Sequence, residues 1–271
     1  MRLIATDLDG TIVRHDGTVS PRTAAALGAA REAGVLLVLV TGRPTRWLSG
    51  LREALGSLGT AICSNGAVVY DDDAGRVVEA SVLPVGDLVT ARERVLELAP
   101  DALFAAETVA GLHLEPGFAP SRADREGLAE EPFDAEALAA EGVVKLLARR
   151  PGGTCAGFER LVAPALEGLV SLTHSAPGVP LIEMAAPGVD KAVTLARHAA
   201  RLGIDPADVV AFGDMPNDIG MLAWAGRGYA VGSSQPRVME VADHVIGTVE
   251  EDSVAAVLEA LLAAGHAAGR A

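Results

Sequence analysis

A chain of 271 residues is long enough for one large domain or two modest ones, and half of its residues are hydrophobic. Only 3% are aromatic, so the core is built mainly from Ala, Val and Leu. Asp and Glu outnumber Lys and Arg 36 to 22, and the net charge of −14 argues against nucleic acid or an anionic membrane as the main partner. Cys63 and Cys155 form no disulfide framework and no CxxC pair. The first residues carry no signal-peptide pattern, and the longest apolar run, Val35–Val40, is far too short to span a bilayer. A cytoplasmic protein with reduced thiols is expected.

In chain order, LIAT (Leu3–Thr6) is a short buried strand ending in Asp7 and Asp9. A helix follows, with Ser20 as N-cap, Pro21 at its first position and Gly34 as its stop. VLLVLVTG is a continuous apolar run of strand length, as in a parallel strand covered on both faces. PTRWLSGLREALGSLG is predicted as the next helix. TAICSNGAVVYDDDAGRVV is predicted as strands joined by turns at Asn65-Gly66 and at Asp73-Ala74-Gly75. The same alternation returns from KAVTLARHAARLG through DVVAFGD, NDIGMLAWAG, GYAVG, QPRVMEVAD and HVIG to the terminal helix. This is the signature of a doubly wound, Rossmann-like parallel sheet.

The middle of the chain reads differently. Paired short alternating runs (LFAAET, GLHLE, LVSLTH, PLIEMA) lie beside helices predicted at VGDLVTARERVLELA and from Thr154 to Glu167. An α+β module with an antiparallel sheet is expected, inserted at 84–185 into a core formed by 1–83 and 186–271.

Polar groups gather at the predicted strand ends: Asp7 and Asp9, then Thr41-Gly42-Arg43, and Gly213 through Asp218. Lys191 begins the helix after PGVD. Two carboxylates one residue apart at a strand end need an exposing turn or a cation. No GxGxxG follows a strand and no P-loop is present, so a dinucleotide is the wrong ligand. Carboxylates with a hydroxyl, an amide and an ammonium suit a phosphate held between Mg²⁺ and Lys191. Asp7 and Asp214 then supply metal oxygens, Asp9 contributes through its backbone carbonyl, and Asn217 and Asp218 orient metal-bound water.

DLDGT, TGR, the lone Lys after GVD and GDMPND resemble, in order and spacing, the four motifs of the haloacid dehalogenase-like phosphatases. SNGA, GDxxND and the long insertion resemble the Cof-type branch with a C2-type cap. The resemblance implies a phosphatase acting on small phosphorylated metabolites such as sugar phosphates. It implies Asp7 as the nucleophile that takes the phosphoryl group, with Asp9 as general acid and then base. It further implies that the Thr41 hydroxyl, the Gly42 N–H and Asn217 hold phosphoryl oxygens while Lys191 neutralises charge. Mg²⁺ bridges Asp7 and the phosphate in this picture, and Arg43 either reaches substrate or forms a surface ion pair. A phosphomutase of the same superfamily and a non-catalytic phosphometabolite-binding protein are the alternatives. The chain is expected as a monomer or a homodimer.

Other residues have plainer expectations. Asn65-Gly66 is read first as a hairpin turn, Cys63 as a small core residue, and Asp71–Asp73 as a solvated loop. Trp47 and Trp224 are read as core or hinge packing, and the acidic stretch 126–141 as solvated surface. His113 and His174 are candidate substrate contacts, and Glu183 occupies a position that is often Glu in the resembled branch, near the junction of cap and core. Asp190 and Ala192 stand where that branch commonly has Ser and Gly, which bears on the substrate rather than on the reaction.

Overall fold

The computed structural model describes residues 1–119, 128, 130–173, 179–232 and 234–268. The chain runs through β1 (Leu3–Thr6), α1 (Pro21–Glu32), β2 (Leu36–Val40), α2 (Arg52–Leu55), β3 (Thr60–Cys63), β4 (Val68–Asp71) and β5 (Arg76–Ala80). It continues through α3 (Val85–Leu98), β6 (Leu103–Thr108), β7 (Leu112–Leu114), α4 (Ala135–Glu141), β8 (Val143–Arg149), α5 (Cys155–Leu166), β9 (Ser171–Thr173) and β10 (Leu181–Ala185). The last part holds α6 (Lys191–Arg201), β11 (Val209–Gly213), α7 (Ile219–Trp224), β12 (Arg227–Ala230), α8 (Pro236–Val241), β13 (His244–Val245) and α9 (Ser253–Ala268). These elements form two compact units, Met1–Val78 with Asp190–Ala271, and Glu79–Val189. The second unit is therefore slightly longer at both ends than the span 84–185 read from the sequence.

In the first unit an eight-stranded sheet has the order β13-β12-β11-β1-β2-β3-β4-β5. The pairings from β13 to β3 are parallel, and β4 runs antiparallel to β3. The fold is thus α/β and doubly wound. β1 lies between β2 and β11, and all four of its residues are buried, as expected for a central parallel strand covered on both faces. Leu3, Ala5, Val38 and Val40 pack in one cluster with Leu195 and Ala199 of α6 and Met221 and Leu222 of α7. Successive connections run outward from β1 in both directions, so the strand order reverses beside it. The crevice at the carboxyl ends of strands at such a reversal is where open α/β sheets bind ligands. Thr6 is in register with Leu39 and Phe212, so three loops emerge together there.

The segment predicted as a helix after TGR is instead two 3₁₀ turns, Thr45–Trp47 and Ser49–Leu51, followed by the single turn α2. Leu48, Leu51, Leu55 and Leu58 are buried at helix-like spacing, which explains the reading. Gly50 weakens a continuous α-helix, and Gly56 ends it in a positive-φ conformation (φ 68°). Trp47, read as packing, is 58% exposed with the Arg46 guanidinium over its ring. Trp224 packs against the core. Asp72, read as part of a solvated turn, is buried and accepts from the Arg52 guanidinium and from the Leu58 N–H.

The second unit has a five-stranded sheet, β7-β6-β8-β10-β9, with every pairing antiparallel. Leu88 and Val95 of α3 and Phe158 and Val162 of α5 pack on Phe104, Leu146, Ile182 and Met184. On the sheet's other face Lys145 donates to Glu183 (2.7 Å), and both side chains are buried. His113 pairs with Glu141 at 2.6 Å. His174 and part of the acidic stretch lie outside the described residues. No helix among the described residues is long and apolar enough to cross a membrane.

Candidate active site

Asp7 is the first residue beyond β1, anchored by its N–H to the Phe212 carbonyl (3.0 Å). Its carboxylate is buried. Lys191 is the first residue of α6, a helix opened by the Asp190 side chain, which accepts from the Val193 N–H (2.7 Å). That cap directs Lys191 inward, where it is 1% exposed. Its Nζ donates to Asp7 Oδ1 (2.6 Å) and to Asp218 Oδ1 (2.7 Å). The second Asp218 oxygen accepts from the backbone N–H groups of Asp214 (3.1 Å) and Met215 (3.0 Å). Asp218 therefore folds the Gly213–Asp218 loop back on itself while it holds the ammonium.

Asp214 faces the same space, and its Oδ1 accepts from the Thr11 hydroxyl (3.2 Å). Gly10 has φ +83°, and a Cβ there would lie 2.5 Å from Asp214 Oδ2. Only glycine lets the loop after β1 pass this close to the carboxylate. Asp7, Asp214 and Asp218 each place a carboxylate oxygen within 4.8 Å of the others. Burial pushes the Asp7 carboxyl up to about 8, and its neighbours Asp218 and Asp214 add to the rise against the pull of Lys191. Burial, then Asp218, raises Asp214 to about 6. For Lys191 burial works against the charge, but Asp218 and Asp7 outweigh it and hold the ammonium above its usual range.

Three carboxylates face one ammonium, so two negative charges in this low-dielectric crevice lack a counter-charge when all ionise. Hard oxygen donors and that residual charge fit a divalent cation such as Mg²⁺. Asp7 and Asp214 could hold it, since both oxygens of Asp218 are already engaged by Lys191 and backbone N–H groups.

Asp9 stands apart from the buried carboxylates. Its side chain is 59% exposed, lies outside the acidic cluster and is gripped by the Arg43 guanidinium, with Nε at 2.8 Å. It lies beside the cluster, near enough for its charge to act on Asp214, but its carboxylate is not among the clustered candidate ligands. Arg43 forms its ion pair with Asp9 from the loop after β2. Thr41 is buried at the end of β2, and its Oγ1 accepts from the Arg43 N–H (3.0 Å), with Gly42 between them. Asn217 Nδ2 donates to Asn65 Oδ1 (2.9 Å), while Asn217 Oδ1 is buried and meets no donor among the described residues.

Two participants carry weaker sequence signals. Thr11 is the threonine of DLDGT, and its tie to Asp214 spans 203 residues of sequence. Asn65 reads first as turn chemistry. His113 and Glu183 each pair with other residues of the second unit.

A family model for haloacid dehalogenase-like hydrolases matches residues 4–258. The chain belongs to that family. A 5-amino-6-(5-phospho-D-ribitylamino)uracil phosphatase of Bacillus subtilis is 30% identical, with 94% of this chain and 93% of the relative covered. A pyridoxal phosphate phosphatase of Escherichia coli is also 30% identical, over 94% of this chain and 96% of its own length. Among solved structures, BT1666 of Bacteroides thetaiotaomicron, from a study of phosphatases of this superfamily, superposes with a TM-score of 0.81 at 25% identity. It covers 96% of this chain and 94% of that one. This haloacid dehalogenase-like hydrolase is therefore matched along nearly its whole length by phosphatases.

Proposed function

We propose that the chain is a Mg²⁺-dependent phosphomonoester hydrolase that acts on small phosphorylated metabolites, sugar phosphates among them. The observation that carries this reading is the buried Asp7–Lys191–Asp218 array beside Asp214 at the point where the strand order reverses. A buried carboxylate held by a lysine, with an acidic partner at hand, suits covalent phosphoryl transfer better than passive binding. The phosphatase names of the full-length relatives support it.

In this mechanism an Asp7 oxygen attacks phosphorus in line, and the bond from phosphorus to the substrate's ester oxygen breaks. Asp9, released from Arg43, gives its proton to the leaving alkoxide. The Thr41 hydroxyl, the Gly42 N–H and the Asn217 amide hold the phosphoryl oxygens, and Lys191 offsets their charge. Asp9 then takes a proton from water as the water oxygen attacks the aspartyl-phosphate. The Asp7–phosphorus bond breaks, and inorganic phosphate leaves. When bound by Asp7 and Asp214, with the Asp9 backbone carbonyl, Mg²⁺ supplies charge neutralisation for the carboxylate and the phosphoryl group.

The test is phosphate release from a panel of sugar phosphates, pyridoxal phosphate and an aryl phosphate, with Mg²⁺ or with chelator. Wild type is expected to turn over in Mg²⁺ only, and Asp7→Asn to lose that turnover by at least about 10³-fold. A folded wild type inactive on every compound, or an Asp7→Asn enzyme that keeps its rate, overturns the reading.

A further inference from the structure

The turn between β3 and β4 is conformationally unusual. Ser64 (φ 52°) and Asn65 (φ 57°) are consecutive non-glycine residues in the left-handed region, followed by Gly66 (φ 105°). Such backbone is unfavourable for L-residues, asparagine tolerating it better than most, and persists where the surroundings impose it. Ser64 to Ala67 form a four-residue loop between the paired Cys63 and Val68. Such loops are most often built around a type I turn whose central residues have negative φ, so the hairpin alone does not need it.

The surroundings that impose it are the loops of the candidate site. The Ser64 N–H donates to the Arg43 carbonyl (3.0 Å), and the Asn65 N–H donates to the Thr41 carbonyl (3.0 Å). The Thr194 hydroxyl of α6 donates to the Gly66 carbonyl (2.8 Å). A Cβ on Gly66 would lie 2.2 Å from the Asp190 carbonyl oxygen, so the turn is pressed against the start of the helix that carries Lys191. The Asn65 side chain, itself buried, accepts from Asn217 Nδ2 (2.9 Å). One three-residue turn is thereby tied to the loop after β2, to the start of α6 and to the loop after β11.

We propose that Asn65 is a positioning residue for the reaction: its Oδ1 fixes which way the Asn217 carboxamide points. An asparagine amide has two N–H donors and one carbonyl oxygen on a torsion with two nearly equivalent settings. With one N–H committed to Asn65, the other N–H and the buried Oδ1 of Asn217 are fixed toward one side. The amide then meets a phosphoryl group ready-set instead of reorienting in each turnover. The left-handed backbone aims Asn65 at Asn217, which accounts for asparagine at a strained position where glycine would fit the φ angle more easily.

This inference rests on the phosphatase reading, so the experiment separates the two. Asn65→Gly, Asn217→Ala and the double variant are compared with wild type in kcat/KM for an aryl phosphate with Mg²⁺. The stabilisation of each by inorganic phosphate is read by thermal melting. Glycine at position 65 suits the positive φ, so Asn65→Gly removes the amide without straining the turn. Asn65→Ala, which removes the same amide but keeps Cβ, serves as an independent second variant. Each single change at 65 or 217 is expected to lower kcat/KM on the order of tenfold, the usual effect of losing a buried hydrogen bond. The double variant is expected to be no worse than Asn217→Ala, with the stabilisation by phosphate reduced alike in all of them. Losses that multiply to about a hundredfold overturn the role of Asn65 and leave the phosphatase reading standing. A wild type that neither turns over nor is stabilised by phosphate overturns the phosphatase reading itself.

Discussion

Asp7 is an acid whose charge its own surroundings resist. Its ordinary value of 3.8 is raised to about 8, first by burial and then by Asp218 and Asp214. A group whose folded value lies above its unfolded value stabilises the protein at low pH, and that contribution is lost as pH rises through the folded value. Between about pH 4 and 8 the metal-free protein should therefore lose stability through Asp7, and between about pH 4 and 6 through Asp214 as well. In chelator, the melting temperature of wild type should fall more steeply from pH 5 to pH 8.5 than that of Asp7→Asn. Mg²⁺ competes with those protons, so it should restore more stability at pH 8.5 than at pH 5.5 in wild type, and little in Asp7→Asn. Parallel pH curves for the two proteins would contradict this account. The types of these residues were readable, since DLDG, Lys191 and GDMPND name most of the cluster. The direction of Asp9 was not, because it depends on the turn formed by Leu8 through Val13 and on Arg43 from another strand end.

Helix α6 links local sequence to the site. Asp190 caps it, Lys191 is its first residue, and Leu195 and Ala199 pack it into the core. Replacing the cap, Asp190→Ala, should cost about 1 kcal/mol of stability. It should also lower kcat/KM, because the first turn that frays is the one that holds Lys191. Ser20→Ala, at the cap of α1 (3.0 Å to the Thr23 N–H), should cost a similar amount and leave kcat/KM unchanged. Equal activities for the two variants would separate the cap from the chemistry. Both caps were legible, because Ser20-Pro21 and Asp190-Lys191 carry their signals within a few residues. The stretch after TGR was not. Its leucines keep a helical period, but Gly50 and Gly56 let neighbouring packing choose 3₁₀ turns instead.

Over the whole molecule, the contacts that make the site are long-range: Asp7 to Lys191 spans 184 residues and Asn65 to Asn217 spans 152. The intervening unit, Glu79–Val189, has its own antiparallel sheet and its own core, from Leu88 and Val95 to Ile182 and Met184. A contiguous segment with such a core should fold alone. Expressed by itself, 79–189 is expected to give a cooperative thermal transition and dispersed amide resonances. A gradual melt would show that it depends on the rest of the chain.

By itself the sequence determined the α/β class, the family, the inserted α+β character of the middle segment and the residue types at the strand ends. These follow from patterns of a few residues: apolar runs of strand length, caps, and motifs in a fixed order. Only the tertiary structure decided how these carboxylates are paired and buried. Parallel register at β1, β2 and β11 brings their loops to one edge. Asp7 comes to lie buried while Asp9 stays exposed beside Arg43, and a single ammonium gathers Asp7 and Asp218 from distant parts of the chain. A motif specifies which groups are available. Their geometry and charge state depend on burial and on partners nearly two hundred residues away, which no local pattern encodes.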